Sequence, residues 1–146
     1  MRAITICQPY AELIAAGIKR VENRRWFTSW HGVIAIHAGK SKSWLDSYDP
    51  LPARMDFGAV IAIGRLITCL HVDKIKSGEP LPAGLEWLRT HEHVEGPWCF
   101  VLADVERIVR PIAISGKQGW WDFDARLLPE EVQARWKLHG GTSNAK

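Results

Sequence analysis

The sequence predicts an α+β fold in which five or six strands form a small β-barrel with two or three helices attached. The strand-like segments are apolar or alternating, and they occur at residues 3–7, 20–26, 33–38, 58–72, 98–108 and 111–114. The helical segments do not alternate regularly with these strands, which argues against a parallel doubly wound sheet. Residues 58–72 are long for one flat strand, and Gly64 offers the bend or bulge that a barrel strand needs.

Three segments carry the signals of helices. Residues 9–17 begin with Pro9, end with Gly17 and place apolar side chains at helical spacing on one face, namely Tyr10, Leu13 and Ile14. A second helical segment is predicted near residues 85–90. In residues 128–138, acidic residues occupy the first turn and a lysine lies near the end, an order that suits the helix dipole.

The length of 146 residues predicts one domain, which we place at residues 1–140 with a flexible tail at 141–146. No apolar run approaches the roughly 18 residues of a membrane-spanning helix, so no membrane partner is expected. The apolar run at the start is interrupted by Gln8, Pro9 and Glu12, unlike a secretory signal.

The three cysteines, Cys7, Cys69 and Cys99, match neither a disulfide framework nor a zinc motif. Their apolar surroundings predict buried free thiols, and hence a reducing, cytoplasmic compartment. No phosphate-binding loop, dinucleotide fingerprint or metalloprotease motif occurs, so no cofactor and no metal are expected.

Positive charge is concentrated in the first third of the chain. Residues 1–44 hold seven Lys or Arg against two Glu, a net charge of +5, whereas the remainder has a net charge of −2. Such asymmetry predicts a face that binds a polyanion. Most of the eight tryptophans are expected in the core, but Trp26, Trp30 and Trp44 lie among the basic residues and could stack on bases.

The densest charge cluster is at residues 17–26, where alternation places four side chains on one strand face, namely Arg20, Glu22, Arg24 and Trp26. Three roles fit it. It could be a salt-bridge cluster on a solvated edge strand. Lys19 and Arg24 could contact phosphate while Glu22 orients them or accepts from a base amino group. Lys19 could also act as a general base.

Other candidate sites are weaker. His31 and His37 are about 20 Å apart on an unbroken strand, too far to act on one phosphate. His91 and His93 have no third metal ligand nearby in the sequence. The loop at residues 116–121, with a lysine, an amide and two tryptophans, could close over a base or sugar, or plug the barrel end.

Three short motifs carry a family resemblance. They are Ile-Thr-Ile-Cys-Gln-Pro-Tyr-Ala at residues 4–11, Gly-x-Lys-x-x-Glu-x-Arg at 17–24 and His-Ala-Gly-Lys at 37–40. Together they resemble the ASCH family, the activating signal cointegrator homology domains. The loop at 116–119 followed by Trp121 looks like the closing segment of small bacterial and phage members. The resemblance is dense over residues 3–40 and thinner over 58–121.

The resemblance implies a PUA-like β-barrel with a cleft beside the first helix, lined by Lys19, Glu22 and Arg24, and it implies binding of RNA or another nucleic acid. Some bacterial members resemble amidohydrolases acting on acetylated cytidine, and one type is a ribonuclease. In the amidohydrolase type a Thr follows the signature Lys by three positions. Glu22 occupies that position here, which argues against that route.

We therefore predict a module that holds a nucleotide or single strand, RNA rather than DNA, in a basic cleft. The predicted binding residues are Gln8, Lys19, Glu22, Arg24, Arg25, Trp26 and Lys40. The alternative is a hydrolase of a modified nucleoside or a weak ribonuclease, with Lys19 and Glu22 catalytic and Lys19 as the base. Thr5 and Ser115 are its candidate nucleophiles. A third possibility is a protein-interaction domain with exposed tryptophans.

Overall fold

The computed structural model describes residues 1–138, in which six strands and three α-helices occur. The strands are β1 (Arg2–Ile6), β2 (Val21–Arg24), β3 (Gly32–Ala38), β4 (Ala59–His71), β5 (Trp98–Ala113) and β6 (Trp121–Asp122). The helices are α1 (Tyr10–Ala15), α2 (Val72–Lys76) and α3 (Glu130–Arg135). The predicted α+β class is confirmed. The segment predicted at residues 85–90 is a short 3-10 helix, Glu86–Arg89, and the tail predicted at 141–146 lies outside the described residues.

The six strands form one mixed sheet in the order β2-β5-β4-β3-β1-β6, in which only β1 and β3 run parallel. No ladder joins β2 to β1 or β6 among the described strands, so the predicted barrel is not closed by backbone pairing. The sheet instead curls until its edges meet. The Arg24 Nη2 atom on β2 donates to the Thr5 carbonyl on β1 at 2.7 Å. The Trp26 ring lies 5.9 Å from the Trp120 ring, centroid to centroid.

The long strands β4 and β5 produce this curvature. Their pairing shifts register three times, and one shift falls between Ile63 and Arg65. Gly64 lies at that shift, as the sequence predicted, and a Cβ there would lie 3.1 Å from a methyl of Val105. The segments predicted at 98–108 and 111–114 form the single strand β5.

Helix α1 packs across β3, β4 and β5 and is anchored by an ion pair. Glu12 is 5% exposed, and its Oε1 accepts from Arg107 Nη1 at 2.7 Å, while Arg107 Nη2 bonds the other oxygen. The fork-to-fork geometry fixes the helix on the sheet. None of the helices within residues 1–138 is both long and apolar enough to cross a membrane.

All three cysteines are free thiols. Cys99 is fully buried, and burial, with a further contribution from Cys69, raises its pKa to about 11. This thiol therefore stays protonated and unreactive at neutral pH. Cys7 and Cys69 are only half-buried, which corrects the prediction for those two positions.

Candidate nucleic-acid interface

The seam between β1 and β2 opens into two adjoining cavities. The first, which we call the lysine pocket, has a volume of about 300 Å³ and is lined by Tyr10, Lys19, Glu22, Asn23, Trp44 and Glu95. The second, the loop pocket, has a volume of about 690 Å³ and is lined by Trp26, His37, Lys40, Ser115, Gly116 and Lys117. Thr5, Cys7 and Arg24 line both, so the two pockets form one cleft.

Gly17 directs Lys19 into the cleft. It has a φ of +79°, a conformation that glycine adopts without strain. Its N–H donates to the Ile14 carbonyl at 3.0 Å, and the Ile18 N–H donates to the Leu13 carbonyl at 2.9 Å. These two bonds form a Schellman cap, which ends α1 and reverses the chain so that Lys19 follows directly. The predicted helix terminator is confirmed.

Lys19 is a buried cation, with only 4% of its surface exposed. Burial lowers the pKa of its ammonium group, and the negative charges of Glu22 and Glu95 oppose that shift. The ammonium nitrogen lies 5.4 Å from the centroid of the Tyr10 ring, and it forms no ion pair with any residue in the described part of the chain. A buried charge with incomplete compensation favours an anionic ligand group beside it.

Glu22 and Arg24 pair with each other on one face of β2, as the alternation predicted. The Arg24 Nε donates to Glu22 Oε2 at 3.0 Å, and Nη2 lies 2.8 Å from the same oxygen. Because Nη2 also binds the Thr5 carbonyl, the pair links the two edges of the curled sheet. The guanidinium therefore has a structural role, and it still lines both pockets.

Asn23 fixes the opposite wall of the lysine pocket. Its side-chain N–H donates to the His93 carbonyl at 2.9 Å. Its side-chain oxygen accepts from the N–H groups of Glu95, at 3.0 Å, and Gly96, at 2.8 Å. These bonds hold the loop that carries Glu95 against β2. Sequence reasoning missed Glu95 because nothing local relates it to Lys19.

A hydrogen-bonded chain forms the floor of the loop pocket. The Thr5 hydroxyl accepts from Trp121 Nε1 at 3.0 Å and lies 3.2 Å from His37 Nδ1. His37 Nε2 lies 2.7 Å from the Ile114 carbonyl, which can only accept. Burial lowers the pKa of His37, so the ring is neutral. It donates a hydrogen bond through Nε2 to the Ile114 carbonyl and accepts one through Nδ1 from the Thr5 hydroxyl.

Gly116 brings the loop at residues 115–119 onto this chain. A Cβ at Gly116 would lie 2.6 Å from His37 Nδ1 and closer still to the Thr5 hydroxyl, so only glycine permits the approach. Trp121 is buried against the same groups, as the plug hypothesis required. The remainder of the loop borders the pocket.

Two of the predicted binding residues lie outside the cleft. Gln8 is fully buried, and both ends of its amide are bonded, to the Asp56 carbonyl at 2.8 Å and to the Glu12 N–H at 2.9 Å. Its amide thus joins the start of α1 to a distant loop. Arg25 is exposed and lines neither pocket.

The other predicted residues are brought together. Trp26 borders the loop pocket while its ring packs edge-on against Phe100, with 5.0 Å between the centroids. Lys40 and Lys117 are both exposed, and both line the same pocket. Tyr10 packs against the core, as its place on the apolar face of the helix predicted, and it also borders the lysine pocket. Its hydroxyl lies 2.6 Å from the hydroxyl of Ser47.

Comparison with known proteins identifies the family. The ASCH domain matches residues 4–112, which include the whole Gly-x-Lys-x-x-Glu-x-Arg signature. The chain belongs to the ASCH domain family. It is similar to human activating signal cointegrator 1, with 25% identity over 138 residues. That match covers 85% of this chain but only 22% of the human protein, so this chain spans about a fifth of the length of that relative.

Solved structures support the ASCH fold. The ASCH protein from Zymomonas mobilis has a TM-score of 0.50 and 21% identity, with 94% of both chains covered. A serine-to-alanine point mutant of that bacterial protein gives a TM-score of 0.50 and 22% identity over the same share. Identities of 21% and 22% support a shared fold and nothing more specific.

Proposed function

We propose that this ASCH domain binds single-stranded RNA and holds a nucleotide or short strand in the cleft between β1 and β2. The observation that carries the proposal is a pair of connected cavities lined by lysines without carboxylate partners among the described residues and by aromatic rings. Phosphate would meet the cations, and a base would lie against the rings.

Several cations converge on the cleft. Five arginines outside it pair with carboxylates, namely Arg54, Arg65, Arg107, Arg126 and Arg135, and within it Arg24 pairs with Glu22. In the cleft, Lys19, Lys40 and Lys117 form no such pair with a described residue. Unpaired cations attract a polyanion and release its counterions on binding.

The aromatic rings and polar groups of the cleft suit an unstacked base. Trp44, at the lysine pocket, is 54% exposed, and Tyr10 and Trp26 offer further ring surface. The choice of RNA over DNA rests on the family rather than on these contacts. RNA and DNA strands of one sequence should therefore be compared directly.

Salt-dependent binding tests the proposal. We expect a fluorescently labelled oligouridylate to bind at low salt, with log Kd rising linearly with log salt concentration. Lys40→Ala and Lys117→Ala should each reduce that slope by about 0.7, the value for one lost single-strand phosphate contact. Lys74→Ala, on the exposed side of α2, is the matched control. Absence of binding at low salt, or equal slopes for all variants, would refute the proposal.

Hydrolysis of a modified nucleoside or of RNA is the second candidate function. It is favoured by Lys19, whose pKa is lowered by burial, and by Thr5, whose hydroxyl faces a neutral histidine and borders both pockets. Incubation with acetylated cytidine and with RNA, followed by product analysis, tests it. Product formation that Thr5→Val and Lys19→Met both abolish would support it, and unchanged substrate would exclude it.

A reducing, cytoplasmic location is proposed alongside this function. Its support is the presence of three free thiols, one of which is fully buried.

A further inference from the structure

A third cavity adjoins the cleft on the far side of Trp26. This aromatic pocket has a volume of about 580 Å³, and its lining includes Arg2, Trp26, Phe27, Trp30, His31 and Trp120. Because Trp26 also borders the loop pocket, a chain that leaves the cleft past this indole enters the aromatic pocket directly.

Arg2 is the cation of the aromatic pocket. Its guanidinium carbon lies 4.8 Å from the centroid of the Trp30 ring and 5.9 Å from that of Trp120. These cation–π contacts hold the guanidinium in place. Asp122 lies directly across the β1–β6 ladder from Arg2, but no ion pair within 4.0 Å joins Arg2 to a carboxylate of residues 1–138. Its N–H groups therefore remain available to an anion. A guanidinium fork is the geometry that phosphate binds best.

Phe27 supplies a ring that the core does not require. It is 53% exposed, and its inner side rests edge-on against Trp98, with the centroids 4.9 Å apart. The neighbouring tryptophans are held more firmly. Trp120 lies parallel to Phe100 at 6.0 Å and tilted against Trp30 at 5.6 Å. The result is a fixed aromatic surface with one solvent-facing ring beside an unpaired cation.

A purely structural role explains only part of this arrangement. Trp26 and Trp120 pack on Phe100 and so fill the gap between the two edges of the sheet. That packing does not account for the exposure of Phe27 or for an arginine that no ion pair holds. Both features are those of a site where a base stacks and a phosphate binds.

We propose that the aromatic pocket is a second nucleotide subsite, in which Arg2 binds a phosphate and Phe27 stacks on a base of the strand that leaves the cleft. The proposal rests on the proposed function, since it extends the path of the same single-stranded RNA. It assigns to this ASCH domain a binding path along three connected pockets.

Oligonucleotides of different length distinguish binding at the subsite from binding in the cleft. Affinity would be measured by anisotropy for labelled oligouridylates of increasing length, from a dinucleotide upward, and salt slopes would be measured for the longest. We expect Arg2→Ala and Phe27→Ala to bind the dinucleotide as the unmodified protein does. They should bind the long strand at least about fivefold more weakly, the lower end of the stacking contribution per base. Arg2→Ala should also lower the salt slope by about 0.7, whereas Phe27→Ala should not.

Matched variants control for charge and folding. Arg110→Ala removes an exposed arginine that borders none of the three pockets, and Leu127→Ala removes an exposed apolar side chain elsewhere. Both should bind the long strand normally, and thermal unfolding should show all four variants folded.

If Arg2→Ala and Phe27→Ala bind the long strand normally while Lys40→Ala weakens it, the subsite is refuted and the cleft stands. If Arg110→Ala matches Arg2→Ala, net charge explains the effect and the subsite is refuted. If no oligonucleotide binds, both proposals fail.

Discussion

At Lys19 we expect the requirements of stability and of the proposed RNA binding to oppose each other. Its charge is buried at 4% exposure without an ion pair among the described residues. Burial lowers its pKa despite the opposing charges of Glu22 and Glu95, so the charged form is less stable in the folded chain than in the unfolded chain. We therefore expect Lys19→Met to raise the free energy of unfolding at pH 7 by about 1 kcal/mol while it weakens RNA binding. Urea denaturation measures the first effect and anisotropy the second. Lys40→Met, at an exposed position, should leave stability unchanged, and a destabilised Lys19→Met would contradict this account.

His93 makes the stability depend on pH. It is 6% exposed, and burial and the positive charge of Lys19 lower its pKa below the ordinary 6.5, while Glu92 and Glu95 oppose the shift. The unfolded chain therefore binds more protons than the folded chain below pH 6.5. We expect the free energy of unfolding to be constant above that pH and to decrease as pH falls through 6.5 toward the lowered pKa.

Urea denaturation between pH 8 and pH 5 checks this expectation, and His93→Gln should flatten the profile. Neutral His37 and His91 also have pKa values lowered by burial. The flattening should therefore be partial. A profile that His93→Gln leaves unchanged would show that the other histidines alone carry the dependence.

Among the elements, the loop at residues 115–119 depends most on a single glycine. Gly116→Ala would place a methyl group against His37 and the Thr5 hydroxyl. Because that methyl group would overlap side chains that hydrogen bonds hold in place, we expect a loss of about 1–3 kcal/mol in stability and weaker RNA binding as the loop moves from the pocket. Ser115→Ala adds no volume and should keep wild-type stability. Wild-type stability of Gly116→Ala in thermal unfolding would show that the loop does not rest on these groups.

Elements with local signals were predictable from the sequence. Gly17 ends α1 and Gly64 lies at a register shift, as their patterns indicated. The joining of the two predicted segments into β5, the second of which begins at Pro111, was not predicted. Beyond residue 101 no described strand pairs with β5 on its β2 side, so a proline without an N–H is tolerated there.

At the scale of the whole molecule, the site follows from the way the sheet closes. The curled sheet lacks a ladder between β2 and β1 in the described part of the chain, and side chains complete the seam instead. Lys19, Glu22, Arg24 and Lys40 come from residues 17–40 and could be grouped from sequence. Contacts across the fold could not, because no periodicity or turn signal relates partners such as Glu12 and Arg107, 95 positions apart.

Two of the predicted binding residues, Gln8 and Arg25, do not line the cleft. Gln8 lies in the motif at residues 4–11 and Arg25 directly follows the signature at residues 17–24, and both were predicted to share the site of Lys19. Their side chains point elsewhere, Gln8 into the core and Arg25 to the surface. The direction of the Arg25 side chain depends on where the short strand β2 ends, at Arg24. Element boundaries of that kind are the least predictable feature of a sequence.

Photo-crosslinking tests the central claim, that the seam is the RNA-binding surface, most directly. An oligonucleotide containing 4-thiouridine would be crosslinked to the ASCH domain at low salt, and the modified residues would be mapped by mass spectrometry. We predict crosslinks on the lining of the cleft, at Tyr10, Trp26, Trp44 and residues 115–119. Crosslinks confined to other surfaces, such as Arg110 on β5 or the exposed side of α2, would contradict the account.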